Sequence, residues 1–330
     1  MKRQFLQMMT ILVFGLMGIM FTSCGGDDDA SSGDNGTGVL ADVEINEKNF
    51  PDGIFRNWLL SQDYGSDGVL TKSEIARVTS IDVRLANGKI EDGDISQNGK
   101  IQSLQGIEYF AALEVLYCGN NELISLDVSK NTVLKELYCW HTNLTSLDVS
   151  KNKSLLILNC NYSKVTELNV SKNTALTSLS CNHNSIYALD LSKNTALTSL
   201  SCSQNYMTTL DMTGCKALTN LDCYQNSLTT LDLTGCTALT SLDCHQNSLK
   251  TLDLTGCTAL TSLSCYSNSI KEEGMETFVA SLPTVKNGKM CVTNNYDGMV
   301  MTTTQVAAAK AKGWTPYYYE KKEWKEYTGS

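Results

Sequence analysis

The sequence predicts an α/β solenoid: coils built of short extended segments with few helices, closed by a small helical N-terminal cap and an α/β C-terminal cap. Three observations predict it. Between residues 113 and 270 one 21-residue phrase recurs, its opening leucines falling at Leu113, Leu134, Leu155, Leu176, Leu197, Leu218, Leu239 and Leu260. Units that small cannot bury an apolar side alone and do so against their neighbours. Within each phrase apolar residues stand two apart, as in Leu242 and Cys244 and again in Leu252 and Leu254, so each pair points to one side of an extended segment. Outside residues 113–270 the pattern stops and helical spacing takes over.

The recurring residues, L-x-x-L-x-C-x-x-N-x-L-x-x-L-x-L, resemble the leucine-rich repeat, with Cys in place of the third leucine. The resemblance implies short parallel strands around the L-x-C residues and an Asn whose side chain caps backbone groups where the chain turns away. The column Asn121, Asn184, Asn205, Asn226, Asn247 and Asn268 is broken by Thr142 and Ser163, which offer a hydroxyl and no amide. The ladder is expected to be weaker there.

Residues 1–23 read as a secretory signal: Lys2 and Arg3, an apolar run, then small residues. The stretch Phe21-Thr22-Ser23-Cys24 resembles a bacterial lipobox, which implies a lipoprotein carrying its lipid on Cys24. Residues 24–39 are Gly-, Ser- and Asp-rich and are expected to form a flexible acidic tether. The acidic run Asp27, Asp28 and Asp29 resembles the surface-export signal of Bacteroidota lipoproteins, which implies an outer-membrane anchor facing outward. Removing residues 1–23 takes away two basic groups and no acidic ones, so the net charge moves from −9 to −11. No basic stripe is present to neutralise phosphates, so nucleic acid is not an expected partner.

Residues 40–112 are expected to form the N-terminal cap. Phe50, Ile54, Phe55, Trp58 and Leu59 follow helical spacing, and Pro51 suits a first turn, so the spacing predicts a helix over 51–62. Residues 63–74 resemble an EF-hand calcium loop, with Asp63 first, Asp67 fifth, Gly68 sixth, Val69 offering its carbonyl at seven, Thr71 at nine and Glu74 at twelve. Gly65 stands where the family has Asp or Asn, so weak calcium binding that stiffens the cap is expected. Thr71 and Glu74 also form a capping box that needs no metal. Residues 80–83 and 100–107 echo half a repeat on either side of a polar insertion, as divergent first coils.

Thirteen cysteines first suggest disulfides. Eight of them, Cys118, Cys139, Cys160, Cys181, Cys202, Cys223, Cys244 and Cys265, hold the same inward position. Stacked coils keep such atoms about 4.8 Å apart against the roughly 3.8 Å between the β-carbons of a disulfide, so a buried thiol ladder is expected. A second column, Cys215, Cys236 and Cys257, replaces Asn131, Asn152, Asn173 and Asn194 of earlier coils. Outward positions carry two aromatic patches: Tyr117, Tyr138, Trp140, His141 and Tyr162, then Tyr224, His245 and Tyr266, with a Ser/Asn stretch between. Aromatic rings amid polar groups suit a protein or glycan ligand. The three histidines, His141, His183 and His245, lie in alternate or more distant coils and are not expected to share a metal.

An Asp column on the opposite edge, including Asp127, Asp148, Asp190, Asp211, Asp232 and Asp253, reads as a turn cap. No paired nucleophile and base, phosphate-cradling loop or zinc signature appears, and an enzyme is not expected. Asp222, Asp243 and His245 are where a hydrolytic site would have to form. The expected function is a monomeric, non-enzymatic binding protein on the cell surface, the alternative being a spacer without a specific ligand. For residues 271–330 the spacing predicts a helix over 272–282, a strand over 289–292, a helix over 303–312, a strand over 315–319 and a frayed tail.

Overall fold

The computed structural model describes residues 41–84, 99–294 and 298–329. The signal segment, Cys24, the acidic tether and the polar insertion at 85–98 lie outside the described residues.

The N-terminal cap places β1 (Val43–Glu44) beside helix α1 (Gly53–Leu60) and strand β2 (Val69–Leu70), which pairs antiparallel with β1. Helix α1 starts later than the spacing suggests because Asp52, not Pro51, sets its start. One Asp52 oxygen accepts from the Ile54 and Phe55 amides at 2.9 and 3.0 Å, satisfying donors that the first helical turn leaves open. The other accepts from Gln102 and Ser103 at 2.8 and 3.1 Å. A single carboxylate therefore caps the helix and ties it to the first coil. Phe50, Phe55 and Leu59 beneath it are fully buried. Helix α2 (Lys72–Ile75) opens on the expected capping box of Thr71 and Glu74.

Strand β3 (Ser80–Asp82) begins the solenoid. After it, β4 (Val115–Tyr117), β5 (Glu136–Tyr138), β6 (Ile157–Asn159) and β7 (Ser178–Ser180) stack in parallel, each shifted by one repeat. A second extended half becomes a strand in only two coils, β8 (Ala188–Asp190) and β10 (Thr209–Asp211), which pair with each other. Between and after them, β9 (Ser199–Ser201), β11 (Asn220–Asp222), β12 (Ser241–Asp243) and β13 (Ser262–Ser264) continue the main sheet in unbroken register. That register stacks every leucine on the leucine of the next coil. Leu113, Leu134, Leu155, Leu176, Leu197, Leu218, Leu239 and Leu260 are all at 0% exposure.

Two polar ladders turn each coil. Asn184 Nδ2 donates to Cys160 O of the previous coil and Cys181 O of its own, while Oδ1 accepts from the Val165 amide. Just before this column every residue adopts positive φ, from Asn120 at 61° to Gln225 at 51°, which bends the chain so that the Asn side chain turns inward. On the other side Asn131, Asn152, Asn173 and Asn194 each donate Nδ2 to two carbonyls of the preceding coil. The Asp column caps turns as expected: Asp127, Asp148, Asp190, Asp232 and Asp253 each accept from the amide two residues on, which holds their carboxyls below the usual range.

The C-terminal cap extends the same sheet. Helix α3 (Glu273–Ser281) leads to β14 (Gly288–Asn294), parallel to β13. Helix α4 (Thr303–Ala311) then ends at Gly313, whose φ of 86° a side-chain-bearing residue tolerates poorly. Strand β15 (Trp314–Glu320) lies parallel to β14, with Trp314 buried and its Nε1 donating to Pro283 O at 2.8 Å. The tail is not frayed: β16 (Glu323–Glu326) folds back antiparallel on β15 and brings Trp324 against Tyr317. Its turn residues Lys321 and Lys322 adopt positive φ without glycine, which is why no turn signal marked it.

Candidate binding face

The strand face is where sequence variation meets a fixed backbone. Leu and Cys of each L-x-C strand point inward, so the residues before and after Cys point out at about 4.8 Å intervals along the solenoid. All eight ladder cysteines are buried, and Cys118, Cys139, Cys160, Cys181, Cys202, Cys223 and Cys244 carry free thiols. Burial pushes the thiol of Cys160 up to about 12 and those of its neighbours in the same direction. They are apolar filler with no nucleophilic character.

The predicted aromatic residues form three stacks, not two patches, and Tyr187 and Tyr206 stack as a further pair at 5.7 Å. Tyr117 and Tyr138 stack at 4.7 Å with rings 14° apart, and the Arg84 guanidinium covers the outer face of Tyr117 at 4.2 Å. Arg84 is held there by Asp82, with Nε to Oδ1 at 2.8 Å and Nη2 to Oδ2 at 2.5 Å. His141, Tyr162 and His183 form the second stack, the last two rings 4.0 Å apart, and Trp140 meets His141 edge-on at 5.6 Å. Tyr224, His245, Tyr266 and Tyr319 form the third, at 4.5, 4.5 and 5.2 Å. Three members escaped the sequence reading. His183 follows Tyr162 by one repeat and was visible there, whereas Arg84 precedes the regular repeats and Tyr319 arrives from the cap.

Local causes set each ring. Trp140 leans over Gly119, where an added β-carbon would meet its indole Nε1 at 2.8 Å. The glycine in that column makes room for the tryptophan. Tyr138 donates to Glu136 Oε2 at 3.0 Å, and Tyr224 donates to Gln204 Oε1 at 3.3 Å. Between the first and third stacks the same columns hold Asn159, Asn161, Ser180, Asn182, Ser201 and Ser203. Their polar groups largely satisfy one another, as Asn161 Oδ1 accepts from Ser180 Oγ and the Asn182 amide.

Acidic groups adjoin the third stack. His245 Nδ1 lies 2.5 Å from Asp243 Oδ1, and Ser203 Oγ donates to Asp222 Oδ1 at 2.6 Å. Partial burial, with Asp243 nearby, raises the Asp222 carboxyl above its ordinary value. Ser203 gives its proton to Asp222, not to His245, so these residues do not assemble as nucleophile and base.

The EF-hand-like loop keeps the expected turn, with Gly68 at φ 85°, and two of its carboxylate oxygens bond within the chain. Glu74 Oε2 accepts from the Thr71 amide and hydroxyl, and Asp67 Oδ1 accepts from the Val69 amide. Among the described residues no three His, Cys, Asp or Glu side chains converge in a way that could hold a metal ion. Of the residues Asp63, Asp67, Val69, Thr71 and Glu74, the structure thus places Thr71 and Glu74 in the capping box and Asp67 at the turn.

Parallel strands in one register, an inward thiol column and an asparagine ladder define a leucine-rich-repeat solenoid. The functional domain of InlJ from Listeria monocytogenes, described as including a cysteine ladder, is similar at 30% identity over 76% of this chain, with a TM-score of 0.55. This chain spans 57% of that protein's length. Internalin C2 from Listeria monocytogenes (18% identity, 71% of this chain and 92% of that one, TM-score 0.51) and YopM from Yersinia enterocolitica (20%, 71% and 45%, TM-score 0.50) share the fold. No family model and no curated protein matches the chain. No helix among the described residues is long and apolar enough to cross a membrane.

Proposed function

We propose that the chain is a non-enzymatic binding protein whose strand face takes a protein ligand, held at a bacterial outer surface through a lipid on Cys24. The observation that carries the ligand class is the stacking of the rings. A sugar needs an open aromatic face, and here most faces are covered by the next ring at 4.0 to 5.2 Å. What the stacks present is a row of ring edges and polar tips across neighbouring coils, a surface that suits a protein. Tyr162 is 46% exposed although a ring stacks on each of its faces. It is the natural anchor for a partner.

The test is binding of the purified chain to arrays of proteins and of glycans, beside a Trp140→Ala, Tyr162→Ala double variant. A protein hit weakened at least about tenfold in the variant, the usual loss for a buried aromatic anchor, supports the reading. A glycan hit lost in the variant would replace protein by carbohydrate. Hits unchanged in the variant would move the site off this face. The anchor is tested separately, by metabolic labelling of the chain and its Cys24→Ala variant with a clickable fatty acid.

A further inference from the structure

We propose that the acidic edge of the third aromatic stack, at Asp222 and Tyr224, binds an arginine side chain of the protein partner. The inference rests on the protein-binding reading above and adds the chemistry of one contact. It starts from an asymmetry in the stacks. Tyr224 has His245 against one face at 4.5 Å, and among the described residues no ring lies against the other, which looks along the solenoid toward Ser203. That open face is bordered by Asp222. The Asp222 carboxylate accepts from Ser203 Oγ at its Oδ1 and also from the backbone amide of Tyr224.

The charges of the face are one-sided here. From Leu197 to Ile270 the L-x-x-L-x-C-x-x-N-x-L segments carry Asp222 and Asp243 and no Lys or Arg. The Asp243 Oδ1 is shared with His245, and Asp222 is partly removed from water. A cation placed there meets a carboxylate that no Lys or Arg of these segments neutralises, in a region of reduced solvation where charge pairing is stronger than on open surface.

The other end of the sheet brings a carboxylate, a guanidinium and a tyrosine ring together. Asp82 stands in the column of Asp222, Arg84 follows it by two residues, and Tyr117 is the register partner of Asp82 in the next coil. The Arg84 guanidinium lies flat on a tyrosine face at 4.2 Å while both its donors meet the carboxylate. The chain thus builds an aspartate, a guanidinium and a tyrosine face at its N-terminal end. Near its C-terminal end Asp222 and the Tyr224 ring, two residues on in the same coil, stand with no Lys or Arg in these segments. Arginine fits this site better than lysine because a planar guanidinium can stack and pair at once, which a compact ammonium cannot. The floor beside it is low: Ser201, the register partner of Asp222, and Ser203 leave room for the incoming side chain.

The full chain is titrated with a blocked Gly-Arg-Gly-Arg-Gly peptide, beside peptides in which Lys or citrulline replaces Arg. Saturable binding of the Arg peptide, at least about fivefold tighter than Lys and lost with citrulline, is expected. Asp222→Asn weakens it about tenfold, and Asp232→Asn, the same charge change on the opposite edge, leaves it unchanged. Ser201→Tyr, which fills the floor and leaves Asp222 and Tyr224 intact, also weakens it and guards against misfolding of the first variant. Equal binding of Arg and Lys peptides, equal effects of Asp222→Asn and Asp232→Asn, or no binding of the Arg peptide would each overturn the proposal. If the proposal fails while an array hit is still lost with Trp140→Ala and Tyr162→Ala, the broader reading stands and only the arginine contact falls.

Discussion

The Asn column on the far side of each coil shows how a single residue type both builds and strains this fold. Asn173 Nδ2 donates to Val149 O and Asn152 O at 2.9 Å, yet its Oδ1 is buried without a partner, as are those of Asn131, Asn152 and Asn194. A buried carbonyl left unsatisfied costs about 1–3 kcal/mol, comparable to what two neutral hydrogen bonds contribute. From Cys215 onward the chain uses cysteine, whose thiol reaches Leu191 O and Asn194 O at 3.7 and 3.9 Å and brings no orphaned oxygen. The two solutions are therefore close in energy. Asn173→Cys is expected to change stability by less than about 1 kcal/mol, whereas Asn173→Ala, which removes the donors and leaves a void, loses about 2 kcal/mol. Urea unfolding of the two variants checks this, and equal losses would show that the amide contributes more than its orphaned oxygen costs. The same scale explains the positive-φ column. Asn120 adopts that region at little cost, but His141, Tyr162 and His183 are held there by the ladder and by stacking on one another.

At the scale of one coil, the break in the main Asn ladder becomes a local weakness. In a regular coil the Asn Oδ1 takes the amide of the preceding coil, as Asn184 takes Val165 and Asn205 takes Ile186, each at 3.0 Å. Thr142 and Ser163 bond to each other at 2.9 Å, and Thr142 also donates to Cys139 O. Neither hydroxyl takes the amide of Leu123 or Leu144. Those two amides are expected to exchange with solvent at least about tenfold faster than the amides of Val165 and Ile186, the loss of roughly one hydrogen bond. Hydrogen exchange read residue by residue tests this, and Ser163→Asn should slow Leu144 selectively. Similar rates at all four positions would mean that coil stacking alone protects them. This weakness was legible in the sequence because it lies in a column. The period, the inward leucines and cysteines and the turn-capping aspartates were legible for the same reason, since a fixed repeat converts sequence position directly into place. The grouping of the rings was not, because stacking depends on which way each side chain leans between coils.

For the whole molecule the critical positions are the two ends, where a solenoid has no neighbour to cover its last apolar layer. At the N-terminal end α1 and Phe50, Phe55 and Phe110 close the core; apolar spacing announced the first two, and Phe110 comes from the segment before the first regular repeat. At the C-terminal end the cap does more than cover. Strands β14, β15 and β16 carry the sheet on, turning parallel order into an antiparallel hairpin whose edge strand is short and charged, Glu323–Glu326. Such an edge resists pairing with other chains. The hairpin also brings Tyr319 onto Tyr266, so the third ring stack is completed by a residue far outside the repeats. Stability and the binding face are therefore coupled through the cap. Deleting residues 271–330 would uncover Leu260, Leu263 and Ile270, all at 0% exposure, and leave β13 as an open edge. That chain is expected to aggregate or to self-associate edge to edge. Deleting only residues 321–330 removes β16 yet keeps β14, β15 and the buried Trp314. It is expected to remain folded but to show self-association through β15. Size-exclusion chromatography with far-ultraviolet circular dichroism separates these outcomes. A soluble, monomeric, fully folded chain after the larger deletion would show that the coils close their own end, and that the cap serves the ring stack alone.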